Sequence, residues 1–175
     1  MKRLLPLLLL LAGCASTPVA TAPSTTTTTT TTETTVVTTS PRIDTPSKLP
    51  ADPCLMLTAA DFQTPLAGPP GPHPELPRSC AWQEGTGAES DMLVLVAFAD
   101  AYEKPEKAPE MLIQGHSAAV SFNTGPGVME CTYLVAVNAT ESFKVIVSLP
   151  NANSAQVSQI ALGKAKTAFK RLVAA

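Results

Sequence analysis

Residues 131–149 of the chain, CTYLVAVNATESFKVIVSL, contain two apolar runs of strand length with a short polar stretch between them. In the second run every other side chain is apolar: Phe143, Val145, Val147 and Leu149. An alternation with period two is typical of a β-strand that buries one face. Residues 138–141 (NATE) suit a tight turn. The sequence therefore predicts an antiparallel hairpin of residues 131–138 and 142–149.

Three more apolar runs of strand length precede this hairpin. They are residues 79–83 (SCAWQ), 92–99 (MLVLVAFA) and 117–122 (SAAVSF). A proline-rich loop, residues 68–77, comes before the first of them and has no helix or strand pattern. Together with the hairpin, the three runs predict an antiparallel sheet of about five strands.

A helix is predicted on each side of the strands. Thr58 is a good N-cap and Asp61 takes the acidic place of a capping box, which predicts a short helix that ends before Pro65. Residues 154–172 carry apolar side chains at helical spacing, with basic residues toward the C-terminal half, where the helix dipole favours cations. The basic set is Lys164, Lys166, Lys170 and Arg171. We therefore expect residues 51–175 to form a single α+β domain, with a short N-terminal helix and a C-terminal amphipathic helix packed on the sheet.

The chain begins with a segment typical of export. MKRLLPLLLLLAGC has a basic start, an apolar run and small residues before its cysteine, the three parts of a secretory signal. The apolar run is much shorter than the roughly 20 residues that cross a bilayer. Residues 11–14 (LAGC) resemble a bacterial lipobox, in which the cysteine receives a diacylglyceryl group and the chain is cleaved before it. We therefore expect residues 1–13 to be a lipoprotein signal peptide, and lipidated Cys14 to anchor the protein on the extracytoplasmic face of the cell membrane.

Residues 14–50 are predicted to be a disordered tether between this anchor and the domain. They are mostly Thr, Ser, Pro and Ala, including eight consecutive threonines at residues 25–32. Such a segment has too few large apolar side chains to offset the entropy lost on folding. Its composition is also that of O-glycosylated stalks. The sequence does not distinguish between a glycosylated stalk and a plain solvated spacer.

The charge pattern argues against nucleic-acid binding. The formal net charge is −2, and two of the basic residues, Lys2 and Arg3, lie in the predicted signal peptide. A nucleic-acid reader normally carries a basic stripe interleaved with aromatic residues, and this sequence has none. We therefore predict no nucleic-acid partner.

The sequence contains no motif that predicts catalysis, a metal site or a cofactor. It lacks a G-x-S-x-G elbow, an H-E-x-x-H pair and a P-loop. The cysteines are too far apart in sequence for a zinc site, and only His73 and His116 could add ligands. We expect both histidines at the surface, and Trp82 and Tyr133 in the core. The prediction is that the protein is not an enzyme and holds no metal or cofactor.

Several short motifs resemble the actinobacterial DUF3558 lipoproteins. The chain carries, in order, the lipobox, a Ser/Thr/Pro linker, DPCLMLT (52–58), CAW (80–82), GHSAAV (115–120) and CTY (131–133), followed by the predicted C-terminal helix. The resemblance covers the whole chain after the signal peptide. It implies an extracytoplasmic, lipid-anchored domain of unknown function, and it brings no catalytic residues.

Three thiols remain if Cys14 is lipidated: Cys54, Cys80 and Cys131. Exported proteins meet oxidising conditions, so we expect one disulfide and one unpaired thiol. Members of the family often carry a further cysteine in the C-terminal helix, and this chain has none there. Because that helix cysteine is missing, we favour a Cys54–Cys80 bridge and expect Cys131 to be a buried free thiol. A Cys80–Cys131 bridge is the alternative, because both residues lie in predicted strands that could be neighbours.

These features favour a tethered binding or interaction module of the cell envelope, whose partner is an envelope protein or an apolar ligand. The alternative is a carrier or sensor for an apolar envelope molecule, enclosed between the sheet and the helices. An enzyme whose site is assembled from scattered residues is the least favoured interpretation.

Overall fold

The computed structural model describes residues 41–175 and has the predicted hairpin near the middle of its main sheet. The described residues contain β1 (Ser47–Lys48), β2 (Ser79–Glu84), β3 (Met92–Ala99), β4 (Glu110–Ile113), β5 (His116–Gly125), β6 (Val128–Ala136), β7 (Ser142–Pro150), α1 (Ser154–Phe169) and β8 (Val173–Ala174). The predicted signal peptide, Cys14 and residues 14–40 of the predicted tether lie outside this range. Within residues 41–175, no helix has both the length and the apolar character needed to cross a membrane.

The main sheet has six antiparallel strands in the order β2-β3-β7-β6-β5-β4. Strands β6 and β7 form the predicted hairpin, with Cys131 opposite Val147 and Tyr133 opposite Val145. All five predicted strands are present, and β3 has the predicted bounds. The additional strand is β4, a short edge strand in which only Ile113 is buried. Its four residues follow a charged, proline-containing loop and carry too little alternation to reveal a strand.

The predicted short N-terminal α-helix is not formed. Two single 3-10 turns stand in its place, Pro53–Leu55 and Ala59–Asp61. The capping box of Thr58 and Asp61 is present, but the chain is already extended at Phe62. The backbone N–H groups of the next two residues donate to the side chain of Glu84, both over 2.7 Å, instead of to helical carbonyls. This distant carboxylate ends the helix after one turn.

Helix α1 covers one face of the sheet, over β6 and β7. It begins with a capping box in which Asn153 and Gln156 exchange side-chain to backbone hydrogen bonds. Its buried residues pack with the side chains of alternate sheet positions to form the main core. Those core positions include Cys80, Trp82, Val94, Val96, Cys131, Tyr133, Val135, Phe143, Val145 and Val147. The fold is therefore α+β, with one helix on an antiparallel sheet.

The opposite face of the sheet is covered at one end only. The connection from β3 to β4 crosses that end and buries Tyr102 and Ala108 against Ala119, Leu134 and Ala136. Farther along this face most side chains are half-buried. A sheet with one packed face and one largely open face is common among antiparallel folds.

Residues 42–49 contact the domain, although the predicted domain boundary is at residue 51. Arg42 and Ser117 are joined by two hydrogen bonds, and Ile43 forms a β-bridge with His116. Strand β1 pairs with β8, so the chain segment that enters the domain is held beside its C-terminal residues. The Asn138 side chain donates to the carbonyl of Ser47 over 2.8 Å.

Candidate functional site

Cys54 and Cys80 form a disulfide, the pairing that the sequence analysis favoured. The bridge ties the first 3-10 turn to β2 across a sequence separation of 26 residues. Cys80 is fully buried. This bond therefore fixes the segment before β2 onto the sheet, and it serves the fold rather than a binding surface.

Cys131 is a buried free thiol at the centre of β6. Burial raises the pKa of this thiol to about 11, and the nearby Ser158 side chain of α1 partly opposes that increase. The Ser158 hydroxyl also hydrogen-bonds with that of Tyr133 over 3.0 Å. A thiol that stays protonated and enclosed is a poor nucleophile. Among residues 41–175, no group of three or more His, Cys, Asp or Glu side chains could hold a metal ion.

The two histidines differ in their surroundings. His116, expected at the surface, is only 1% exposed, because its ring packs edge-on against Phe169 and its Nδ1 donates to the carbonyl of Ala136 over 2.9 Å. The prediction for His116 was therefore wrong. His73 is half-buried in the proline-rich loop. Trp82 and Tyr133 lie in the core, as expected.

A groove of about 800 Å³ runs between α1, the turn at Asp61 and the end of the hairpin formed by β2 and β3. We call it the Lys164 groove. Its lining residues are Asp61, Gln63, Thr64, Glu84, Gly85, Ser90, Asp91, Met92, Leu149, Gln159, Ile160, Gly163, Lys164 and Thr167. The helix contributes five of these residues at a spacing that keeps them on one face. Its volume lies within the range that small-molecule sites occupy.

Among the described residues that line the groove, Lys164 is the one cation. Its side chain is 10% exposed, and its Nζ donates to the carbonyl of Asp61 over 2.6 Å. The same Nζ lies 3.7 Å from the centre of the Phe62 ring, a cation-π contact. Burial lowers the pKa of Lys164, and the carboxylates of Glu84 and Asp61 partly oppose this change.

Glu84 stands beside Lys164 with a side chain that is 7% exposed. Its Oε1 accepts three hydrogen bonds, from the backbone N–H groups of Gln63 and Thr64 and from the Thr64 hydroxyl. Its Oε2 lies 4.0 Å from Lys164 Nζ, an ion-pair distance that is too long for a direct hydrogen bond. The floor of the groove thus holds two nearly buried, opposite charges that do not fully satisfy each other.

The other two carboxylates of the groove have partners within the domain. Asp61 Oδ2 accepts from the backbone and hydroxyl of Thr58 and forms an ion pair with Arg171 at 3.1 Å. Asp91 Oδ2 accepts from three consecutive backbone N–H groups, those of residues 86–88. Asp91 also packs so closely on Gly85, at φ +141°, that a Cβ there would overlap its carboxylate. Both acids therefore shape the walls of the groove.

Uncharged groups make up the rest of the lining. The side chains of Gln63, Ser90, Gln159 and Thr167 make no hydrogen bond to another residue of the part of the chain that the structure describes. Met92, Leu149 and Ile160 supply apolar surface between them. The arrangement can hold a ligand that combines hydrogen-bonding groups with apolar surface.

The sequence analysis did not predict the pair of charges at the floor of the groove, Lys164 and Glu84. It assigned Lys164 to the basic C-terminal half of the helix, whereas Lys164 lies on the buried face between Ile160 and Ala168, each four residues away. A lysine within an apolar helical stripe was the available signal. No local sequence pattern indicated the role of Glu84, because its backbone partners lie 20 and 21 residues away in sequence.

Comparison with known proteins gives one family match. A family model described as "Protein of unknown function (DUF3558)" matches residues 9–161, which include the groove apart from Gly163, Lys164 and Thr167. No curated protein and no solved structure matches the chain.

Proposed function

Because the chain belongs to the DUF3558 family of proteins of unknown function, we propose a function from its own residues. The protein is an extracytoplasmic, lipid-anchored binding module of the cell envelope, and not an enzyme. Diacylglyceryl-Cys14 attaches it to the membrane, residues 14–40 and the segment after them connect the anchor to the domain, and the domain binds a ligand in the Lys164 groove.

The anchor is supported by the sequence. Residues 1–14 combine a basic start, a short apolar run and a lipobox-like LAGC. Two acyl chains on one cysteine hold a protein stably at a membrane surface, whereas one chain binds only marginally. A disulfide between Cys54 and Cys80 suits an oxidising compartment outside the cytoplasm.

The observation that carries the binding function is the Lys164 groove itself. It joins apolar surface to unpaired amide and hydroxyl groups, and the nearly buried pair of Lys164 and Glu84 lies at its floor. Buried charges are costly unless their environment satisfies them. Keeping such a pair at the floor of an open groove gives a ligand two strong, fixed hydrogen-bonding partners.

A carrier for an apolar molecule has less support. The carrier hypothesis needs a cavity between the sheet and the helix, and the described side chains there are closely packed, with Val94, Val96, Val145 and Val147 all at 0% exposure. The open groove, with charges at its floor, is a poor match for a purely apolar ligand.

A groove-blocking variant tests the proposal. Gly163 lies on α1 with nothing within 4 Å of the position of an added Cβ, so Gly163→Trp should fill the groove without distorting the helix. Lys166→Trp, at an exposed helix position outside the lining, is the matched control. Native mass spectrometry of the lipoproteins extracted from their own host should find a bound species on the wild type and on Lys166→Trp, but not on Gly163→Trp.

The bound species also separates the alternatives. A polar small molecule lost from Gly163→Trp supports the groove as the binding site. A lipid that both variants retain would favour the carrier, and a protein partner that both retain would place the interaction elsewhere on the domain. Either of these two results would refute binding in the groove.

A further inference from the structure

The charges of the Lys164 groove bear on the kind of ligand that it accepts. Asp61 is paired with Arg171, Asp91 with three backbone N–H groups, and Glu84 with two backbone N–H groups, one hydroxyl and Lys164. A charged ligand would have to compete with these partners for the opposite charge that it needs. It would lose its hydration without gaining a full ion pair, a balance that is unfavourable in an enclosed site.

The gap between Lys164 and Glu84 favours one type of group. Their Nζ and Oε2 atoms are 4.0 Å apart, and a hydroxyl oxygen can lie about 2.8 Å from each. Such a hydroxyl accepts from the ammonium group and donates to the carboxylate, so it satisfies both. Neither a second ammonium group nor a second carboxylate can do this, because the first only donates and the second only accepts.

The polar side chains above the floor of the groove also suit a ligand that carries hydroxyl groups. Gln63 and Gln159 offer side-chain amides, and Ser90 and Thr167 offer hydroxyls, all of which both donate and accept. Met92, Leu149 and Ile160 present apolar surface of the kind that contacts the C–H faces of a sugar ring. The free polar lining is thus uncharged throughout.

We propose that the Lys164 groove binds an uncharged, hydroxyl-rich ligand, a neutral saccharide, with one ligand hydroxyl bridging Lys164 Nζ and Glu84 Oε2. This inference rests on the proposed function, because it names the ligand class of the same groove. Gln159 and Thr167 on α1 contact further hydroxyls of the sugar.

The test uses oligosaccharides released from the host envelope and separated by ion exchange into neutral, cationic and anionic fractions. Each fraction is added to the full-length lipoprotein in detergent, and hydrogen–deuterium exchange is followed by mass spectrometry. The neutral fraction should protect peptides that contain residues 61–64, 84–92 and 159–167. Exchange elsewhere in the domain should not change.

Variants then test the bridging hydroxyl. Lys164→Met removes the ammonium group but keeps an unbranched side chain, and we expect about tenfold or greater loss of affinity for the neutral fraction, as for other hydrogen bonds to charged groups. Gln159→Ala, at an exposed helix position, should weaken binding about fivefold without affecting folding. Lys166→Gln, outside the groove, is the control and should bind as the wild type does.

The outcomes separate the ligand class from the binding function. Protection of the groove by a charged fraction alone would overturn the neutral-saccharide inference and leave the groove as a binding site. Absence of protection by any fraction, while Gly163→Trp still loses the bound species found in the host extract, would also overturn the saccharide and keep the groove. If Gly163→Trp loses nothing, both proposals fail.

Discussion

At the scale of single residues, Lys164 shows how a charge can be held inside the domain. Its ammonium group has one carbonyl partner, one aromatic ring and one carboxylate at 4.0 Å. The carbonyl belongs to Asp61, 103 positions away in sequence, so α1 and the turn before β2 are joined through this side chain. The contacts do not fully replace water, which is why burial lowers the pKa of Lys164.

We predict that this lowered pKa appears in the pH dependence of stability. The unfolded chain keeps a lysine pKa near 10.5, above that of the folded state. Between the two values the unfolded state binds more protons, so the free energy of unfolding contributed by this residue rises with pH. We would measure the free energy of unfolding of the wild type and of Lys164→Met by chemical denaturation between neutral pH and pH 10.5. The value for the wild type should increase with pH relative to the value for the variant. A difference that stays constant with pH would contradict the burial of the charge.

Cys131 and Ser158 give a second prediction at this scale. Ser158 of α1 lies close enough to Cys131 of β6 to lower the pKa of its thiol against the larger effect of burial, and it hydrogen-bonds with Tyr133, two positions along the same strand. A Ser158→Cys variant should therefore form a disulfide with Cys131 under oxidising conditions and raise the free energy of unfolding by about 2–3 kcal/mol, mainly by constraining the unfolded chain. Thiol titration and denaturation with and without reductant measure both effects. Ser158→Ala is the control, and a persistent free thiol on Cys131 in Ser158→Cys would show that the contact is too distant.

At the scale of elements, the strands were more predictable than the short helices. Residues 92–99 and the hairpin are rich in β-branched and aromatic side chains, so their local pattern and their tertiary environment favour the same structure. The turn at Ala59–Asp61 has a correct helical cap and still ends after one turn, because Glu84 accepts the N–H groups that would continue it. Such a contact is set by the fold and leaves no local trace. The groove could not be predicted for the same reason. Lys164 and Glu84 lie close together only when the helix packs on the sheet.

Helix α1 contains a glycine whose replacement should stabilise it. Gly163 is exposed, and a Cβ added there would meet nothing within 4 Å. Gly163→Ala should raise the free energy of unfolding by about 0.5–1 kcal/mol, because alanine loses less backbone entropy in a helix. Urea denaturation measures the change. A destabilised variant would mean that the backbone at Gly163 is not regular helix, and the groove-blocking Gly163→Trp would then lose its value as a test.

At the scale of the whole molecule, the segment that would lead to the proposed anchor makes defined contacts with the domain. Residues 42–48 are held by Ser117, by Asn138 and by pairing with Val173 and Ala174. The predicted tether therefore enters the fold before residue 51, and the last strand of the domain helps to hold it. The Lys164 groove is built from the helix and from the β2–β3 end of the sheet, and none of residues 42–48 lines it. The proposed attachment and the proposed binding site would thus use different parts of the domain.

The proposed division predicts the effect of removing the proposed anchor. Replacing Cys14 by Ala removes the thiol that would carry the diacylglyceryl group. We expect Cys14→Ala to be released from the membrane or misprocessed, while the fold of residues 51–175 and binding in the groove are unchanged. Cell fractionation, intact mass and the native mass spectrum of the bound species measure the three properties. Cys131→Ala is the matched control, because it also replaces one cysteine outside the disulfide but should keep the lipid mass and the membrane location. Membrane retention of Cys14→Ala at the wild-type level would refute the anchor, and loss of groove binding in the released protein would show that attachment and binding are coupled after all.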